Sequence, residues 1–404
     1  MPTAWRLVVL LWPVALLNYL DRQVIFSLLP LLRSELSLSD TQLGLLATSF
    51  LWIYAAASLA SGFVTARYGA RRVILGSLGI WSAVTVLTGL SRGAGELLAA
   101  RALMGMSEAF YLPAALALIA EYHGDQTRGR ATAAHQSGIY LGVILGGALG
   151  GYMGQLFGWR VPFFALGGVG LAYLAVLAWG LPRNDAQPRR EMGPESQAGG
   201  LARMPGFVAM TGVFAVFSMA GWVVMTWMSL YLYERFGMTL ARAGFAATFF
   251  LQAGSFVGIF LGGWLSDRWS RRQPLARVYI PAVGFALSAV FLFLAGATAE
   301  AVVALAATTV YGFGRGLYDA NIMPLLCLTA RPEQRAPGYG IFNFSGTCSG
   351  GVTAMWAGMV KSSVGIDGAF RWCGALLLLA VALLVVPVRR GVMRSTRAQA
   401  NLPA

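Results

Sequence analysis

The chain has 404 residues, of which 57% are hydrophobic and 11% charged, against roughly 45–50% and about 25% in a soluble domain. One soluble core does not bury that much apolar surface, so most of it must face lipid. The net charge of +14 comes with no groove-reading motif, which argues against a nucleic-acid role, and no HExxH, nucleophile elbow or Walker-type loop supports an enzyme.

Apolar windows of about 20 residues, the length that crosses a bilayer, recur twelve times: roughly 6–30, 42–65, 73–91, 96–121, 131–155, 160–181, 206–231, 241–265, 278–298, 300–328, 338–360 and 368–388. They predict an all-α polytopic membrane protein with twelve transmembrane helices. The first window has full spanning length, contains charges and lacks a small-residue cleavage site, so it reads as the first span rather than a signal peptide. The only long polar stretch, "PRNDAQPRREMGPESQAGGLARMP" at 182–205, has the Pro, Gly and charge of a flexible linker. It separates a six-helix bundle over 1–181 from a second over 206–388, with a tail at 389–404. Cys327, Cys348 and Cys373 all fall in apolar windows without a CxxC pair, so they read as packing residues rather than a disulfide or metal set.

Twenty of the 30 Lys and Arg residues lie at the N-terminus, in the tail, or after even-numbered segments; seven follow odd-numbered segments and three lie inside segments. By the positive-inside rule both termini are expected to be cytoplasmic. The basicity therefore reads as topology.

The two halves repeat each other. "GFVTARYGARR" (62–72) follows the second segment and "GGWLSDRWSRR" (262–272) the eighth. "GMSEAFYLPAA" (105–115) in the fourth segment aligns with "GLYDANIMPLL" (316–326) in the tenth, pairing Gly105 with Gly316, Glu108 with Asp319 and Pro113 with Pro324. Two similar halves suit alternating access, in which one half rocks against the other around a midplane site.

These stretches resemble the major facilitator superfamily over essentially the whole chain. The 62–72 loop is similar to its G-x-L-a-D-R-x-G-R-R signature, with Gly62, Arg67, Gly69 and Arg71 in place, and "GVILGGALGG" (142–151) is similar to its glycine-rich fifth-helix motif. The signature's Asp falls at Ala66, whereas the second-half copy keeps Asp267 and Arg268. The resemblance implies two pseudo-symmetric six-helix bundles in a cell membrane, of bacterial inner-membrane type, working as a monomer. If the signature Asp latches the cytoplasmic face, Ala66 weakens that latch and shifts the load to the other half.

Six ionisable residues stand inside the apolar segments: Asp21, Arg22, Arg101, Glu108, Arg315 and Asp319. Each costs about 2.5–3.5 kcal/mol at the bilayer centre on insertion scales, so each is expected to face a cavity and have a partner. Arg101 and Glu108, seven apart, share a helix face; Arg315 and Asp319, four apart, can pair along one helix. For the first half two readings stand. One is a proton relay, with Glu108 the carrier, tuned by Arg101 and Arg22, and Asp21 a second carboxylate, because burial and a nearby guanidinium act oppositely on a carboxylate's hold on its proton. The other is a permanent ion-pair network joining the first and fourth segments.

Arg22 is also a candidate anchor for an anionic substrate, since guanidinium grips carboxylate bidentately. "NYLDR" with "RALMGMSEA" resembles the superfamily's anion:cation symporter branch, which implies a substrate carboxylate on Arg22, protons on Asp21 and Glu108 as the coupling ion, and no other cofactor. Tyr19, Tyr54, Gln136, Gln252 and Asn343 sit where that branch places hydroxyl-binding groups, or they are interhelical hydrogen bonds. The same elements resemble the Spinster branch, linked to lysolipid export. Trp222, Trp227, Phe249, Phe250, Phe342 and Phe344 would suit an acyl chain, or are packing and lipid-facing residues. A receptor built on a transporter scaffold is a third possibility. "GFGRG" (312–316) lies inside a span, so its glycines read as close-contact residues rather than a dinucleotide loop. "NFS" (343–345) also lies inside a span and so is not read as a glycosylation site. His135 reads either as an assistant to the relay or as a packed residue, and Arg128 and Arg130 as partners of acidic loops or anionic headgroups.

Overall fold

The computed structural model describes residues 3–182, 200–201, 204–273, 275–330 and 332–388. The tail at 389–404 and most of the linker expected at 182–205 lie outside the described residues. Among the described residues every regular element is helical. The chain forms two compact units, Met1–Arg190 with Met225–Thr248, and Glu191–Val224 with Phe249–Ala404.

The first unit begins with α1 (Thr3–Ser27), whose successor α2 (Leu29–Glu35) starts with Pro30 in its first turn, a position where the missing N–H costs nothing. Next come α3 (Asp40–Tyr68), opened by a Ser39–Gln42 capping box, and α4 (Ala70–Leu90). Gly69 joins them at φ 82°, a left-handed value that favours glycine. The fourth predicted segment is one span, Ala94–Tyr122, interrupted between α5 (Ala94–Glu108) and α6 (Tyr111–Tyr122). The cause is Pro113, which lacks an N–H and whose ring collides with the carbonyl four residues earlier, at Ala109. α7 (Asp125–Phe157) and α8 (Arg160–Gly180) complete the bundle.

α1 packs chiefly on α7, α3 on α5, and α4 on α8. The α1–α7 contact explains the glycine-rich fifth segment: a Cβ at Gly142 would stand 2.4 Å from the Leu16 carbonyl oxygen, so only glycine permits the approach. An apolar core of Leu11, Val14, Leu78, Trp81, Tyr111 and Leu118, all buried, fills the space among α1, α4 and α6. The later part of α9 (Pro205–Phe236) and the start of α10 (Leu240–Ser270) also belong to this unit. Arg33 joins Glu234 at 2.8 Å and Asp40 at 3.5 Å there.

The second unit holds the earlier part of α9 and the rest of α10, then α11 (Ala276–Ala297) and α12 (Ala301–Asp319). α13 (Ile322–Thr329) and the long α14 (Pro332–Leu383) follow. The α12/α13 interruption falls at Ala320 and Asn321, and Pro324 stands four residues after Ala320, repeating the Pro113 geometry. Among the described residues ten helices are long and apolar enough to cross a membrane. The stretch Pro337–Val388 has 52 residues, about 78 Å of helix against a hydrocarbon core of about 30 Å, and Gly365 breaks it at φ 72°. It therefore contains the eleventh and twelfth predicted segments, one on each side of Gly365. The tenth is α12 with α13, and the fold is the expected twelve-segment one. Inside α12 a Cβ at Gly312 would stand 2.3 Å from the Leu251 carbonyl oxygen of α10, so "GFGRG" is a close-contact stretch, as read.

Candidate transport site

The first unit gathers its four intramembrane charges around the last turns of α1. Asp21 and Arg22 point to different neighbours because consecutive helical residues are rotated by about 100°. Arg22 reaches α5: its Nε and Nη2 donate to Glu108 Oε2 at 3.1 and 2.8 Å, and Nη2 also donates to Asn18 Oδ1 at 3.4 Å. The ion pair is almost dry, with side-chain exposures of 7% and 0%. Three rings surround the guanidinium, Tyr19, Phe50 and Tyr54, with centroids 4.6, 4.7 and 4.9 Å from Cζ.

Arg101 is fully buried one helical stretch below Glu108, yet it makes no direct bond to that carboxylate. Its Nε donates to the Leu46 carbonyl at 3.2 Å and Nη1 contacts Met104 Sδ at 3.1 Å, while Nη2 has no hydrogen-bond partner. The Phe50 ring lies 4.6 Å from its Cζ, so one benzene ring serves both guanidiniums. Glu108 Oε1 is likewise buried without a hydrogen-bond partner. α5 thus holds one spare acceptor, Glu108 Oε1, and one spare donor, Arg101 Nη2, and Asn18 Nδ2 of α1 is a further donor without a hydrogen-bond partner.

Asp21 faces the other way, toward Trp81 and Thr85 of α4. It is 1% exposed and its Oδ1 has no hydrogen-bond partner. Of the two arginines expected around Glu108, Arg22 engages it across two helices, whereas Arg101, on the same helix as Glu108, makes no direct bond to it. His135 is fully buried in α7, with Nε2 at 2.8 Å from the Tyr111 hydroxyl, which donates to the Leu11 carbonyl at 3.0 Å. It occupies the packed, hydrogen-bonded role.

Tyr19 and Tyr54 thus join the cluster. Gln136, also in the first unit, is exposed on α7. In the second unit Gln252 is 5% exposed with an unpartnered Oε1, and Asn343 is half-buried on α14. Arg315 and Asp319 do pair along α12, at 3.5 Å, with exposures of 20% and 28%. Of the aromatics, Phe342 stacks between Phe207 and Phe214 as core, whereas Phe249 and Phe344 are about one-third exposed. The sequence reading missed Asn18, Phe50, Trp81 and Thr85. Asn18 had a signal, its i,i+4 spacing to Arg22; the others come from neighbouring helices and had none.

At the signature loop, Ala66 and Arg67 are exposed, and Arg71 donates to the Ala178 carbonyl at 2.6 Å, tying α4 to the end of α8. In the second unit Asp267 binds Arg277 at 3.0 Å across the α10–α11 turn. The acidic member of the motif therefore acts only in the second copy.

Residues 11–355 match the family described as Major Facilitator Superfamily. An MFS-type efflux pump of Mycolicibacterium smegmatis is 30% identical over 399 residues, 95% of this chain and 90% of its own. A probable galactarate/D-glucarate transporter of Escherichia coli (strain K12) is 28% identical over 420 residues, 95% of this chain and 92% of its own. A bacterial homologue of the human lysosomal transporter Spinster, crystallised inward-facing and unoccupied, superimposes with a TM-score of 0.80 over 100% of this chain and 99% of that one. At 21% identity the last is a likeness of fold alone. The chain belongs to the Major Facilitator Superfamily, a family of multi-pass membrane transporters rather than enzymes.

Proposed function

We propose that the protein is a proton-coupled symporter of a small organic anion, a sugar acid or similar carboxylate, working by alternating access with both termini cytoplasmic. The observation that carries this reading is the dry Arg22–Glu108 pair at 2.8 Å. Removing one partner of a buried ion pair costs about 3–5 kcal/mol, so Arg22 favours a negative partner throughout, whereas Arg101 rests on the Leu46 carbonyl and the Phe50 ring. In the empty site that partner is Glu108. A substrate carboxylate can replace it only when Glu108 takes a proton, because two carboxylates on one guanidinium would leave an excess buried charge. Anion and proton are thereby favourable together and unfavourable apart, which is the linkage a symporter requires.

The other residues take supporting roles. Tyr19 and Tyr54, already against Arg22, offer hydroxyls to a polyhydroxylated chain. Gln136 is a further hydroxyl ligand in this reading, Arg101 hydrogen-bonds the neutral carboxyl of Glu108 once it has left Arg22, and Asp21 is a second proton site. The likeness to a probable galactarate/D-glucarate transporter supports the substrate class. Uptake of glucarate, galactarate and galactonate by proteoliposomes tests the proposal: uptake should rise with an inward proton gradient, and uptake indifferent to that gradient sinks it.

A second reading is export, with amphiphiles as the cargo; the 30% identity to an MFS-type efflux pump favours the direction. A thermal-shift panel separates the two, since stabilisation by lysophospholipids and not by hexarates would select export.

A further inference from the structure

The end of α10 carries a feature the transport site does not use. Trp264, Leu265, Arg268, Trp269, Arg271 and Arg272 line an open groove of about 430 Å³. Trp264 and Trp269 are 59% and 45% exposed, and all three arginines are exposed. Residues 264 and 268 are i, i+4 neighbours on one face of α10 with 265 beside them, and Arg271 and Arg272 follow in the turn that leaves the helix. The indole of Trp264 and the leucine thus lie deeper along the span Leu240–Ser270, and the guanidiniums crowd its end.

That end has cations without protein anions. Arg268 stands 5.9 Å from the Trp264 ring centroid. Among the described residues Arg271 and Arg272 make no ion pair, and the nearby Asp267 is already held by Arg277 at 3.0 Å. The repeat of this stretch in the first unit differs, because Arg71 spends its guanidinium on the Ala178 carbonyl. Guanidinium groups bind phosphate oxygens by charge-assisted hydrogen bonds, basic clusters beside a span attract anionic headgroups, and indoles settle at the level where headgroup meets chain.

We propose that this groove binds an anionic phospholipid, with the phosphodiester on Arg268, Arg271 and Arg272 and an acyl chain along Trp264 and Leu265. The proposal does not depend on the substrate or coupling ion.

Native mass spectrometry of the purified full chain with phosphatidylglycerol, phosphatidylcholine or inorganic phosphate tests it. The native chain should retain phosphatidylglycerol in preference to phosphatidylcholine. Arg271→Gln with Arg272→Gln should weaken that retention roughly twentyfold or more, at roughly fivefold for each basic residue near an anionic surface. Arg92→Gln with Arg242→Gln, both exposed and outside the groove, should leave it unchanged. Trp264→Ala keeps every charge and should lower retention several-fold, which preserves the test if the double arginine variant fails to assemble. Equal retention of phosphatidylcholine, unchanged retention in the groove variants, or displacement of the lipid by millimolar inorganic phosphate would overturn it.

Discussion

Glu108 and Asp319 occupy the same slot of the two-fold repeat, immediately before matching helix breaks, yet they live in different surroundings. Glu108 reaches across to Arg22 of another helix in a pair that is 7% and 0% exposed. Asp319 folds back on Arg315 of its own helix, at 20% and 28% exposure. The repeat has kept the acid and changed its circuit. A pair between helices changes when the helices or their ligands change; a pair within one helix is satisfied whatever its neighbours do. The proposed coupling therefore rests on the first unit.

The largest expected effect comes from neutralising the interhelical carboxylate. Glu108→Gln should lower concentrative uptake by about 10²–10³-fold, the weight of a buried pair losing its charge, while counterflow exchange persists because exchange need not release the proton. Equal loss of both activities would make Glu108 a structural strut instead. Arg22→Lys keeps the charge but removes the planar fork. It should weaken anion binding in a thermal-shift titration by about 10–100-fold, as expected from one charged hydrogen bond at about 1.5–3 kcal/mol, and unchanged affinity would take Arg22 out of the site.

Phe50 tests whether the two guanidiniums act as one network. Two ring–cation contacts at about 0.5–2 kcal/mol each should vanish in Phe50→Leu and survive in Phe50→Tyr. The leucine variant alone should then unfold several degrees earlier and transport poorly. The smallest effect closes the comparison: Asp319→Asn breaks a partly buried i,i+4 pair within one helix, a class of pair worth about 0.3–0.5 kcal/mol. Uptake should change less than about threefold, and a loss comparable to that of Glu108→Gln would erase the asymmetry between the units.

Much of the architecture is legible in the residues, because spanning length and apolarity dominate a membrane fold. The twelve segments, the close-contact glycines and the Arg315–Asp319 pair all follow from spacing along one helix. The breaks at Ala109 and Ala320 were legible too, in Pro113 and Pro324, by the rule that a proline disturbs the carbonyl four residues before it. What spacing does not encode is which helix lies opposite. Arg101 and Glu108 share a face, but the partner of Glu108 comes from α1, and Phe50 enters from α3 where Gly105 admits its backbone; a Cβ at Gly105 would stand 2.3 Å from the Phe50 carbonyl oxygen. Asp21 and Arg22, adjacent in sequence, separate for the same reason into one site against α4 and another against α5.

The most direct test of the exchange of anions on Arg22 is the proton count on substrate binding. Purified protein in weak buffer should take up protons when a bound hexarate displaces Glu108, and the Glu108→Gln variant should bind hexarate with that uptake reduced by one proton. Binding by the native chain without proton uptake, or identical uptake in the variant, would contradict the account.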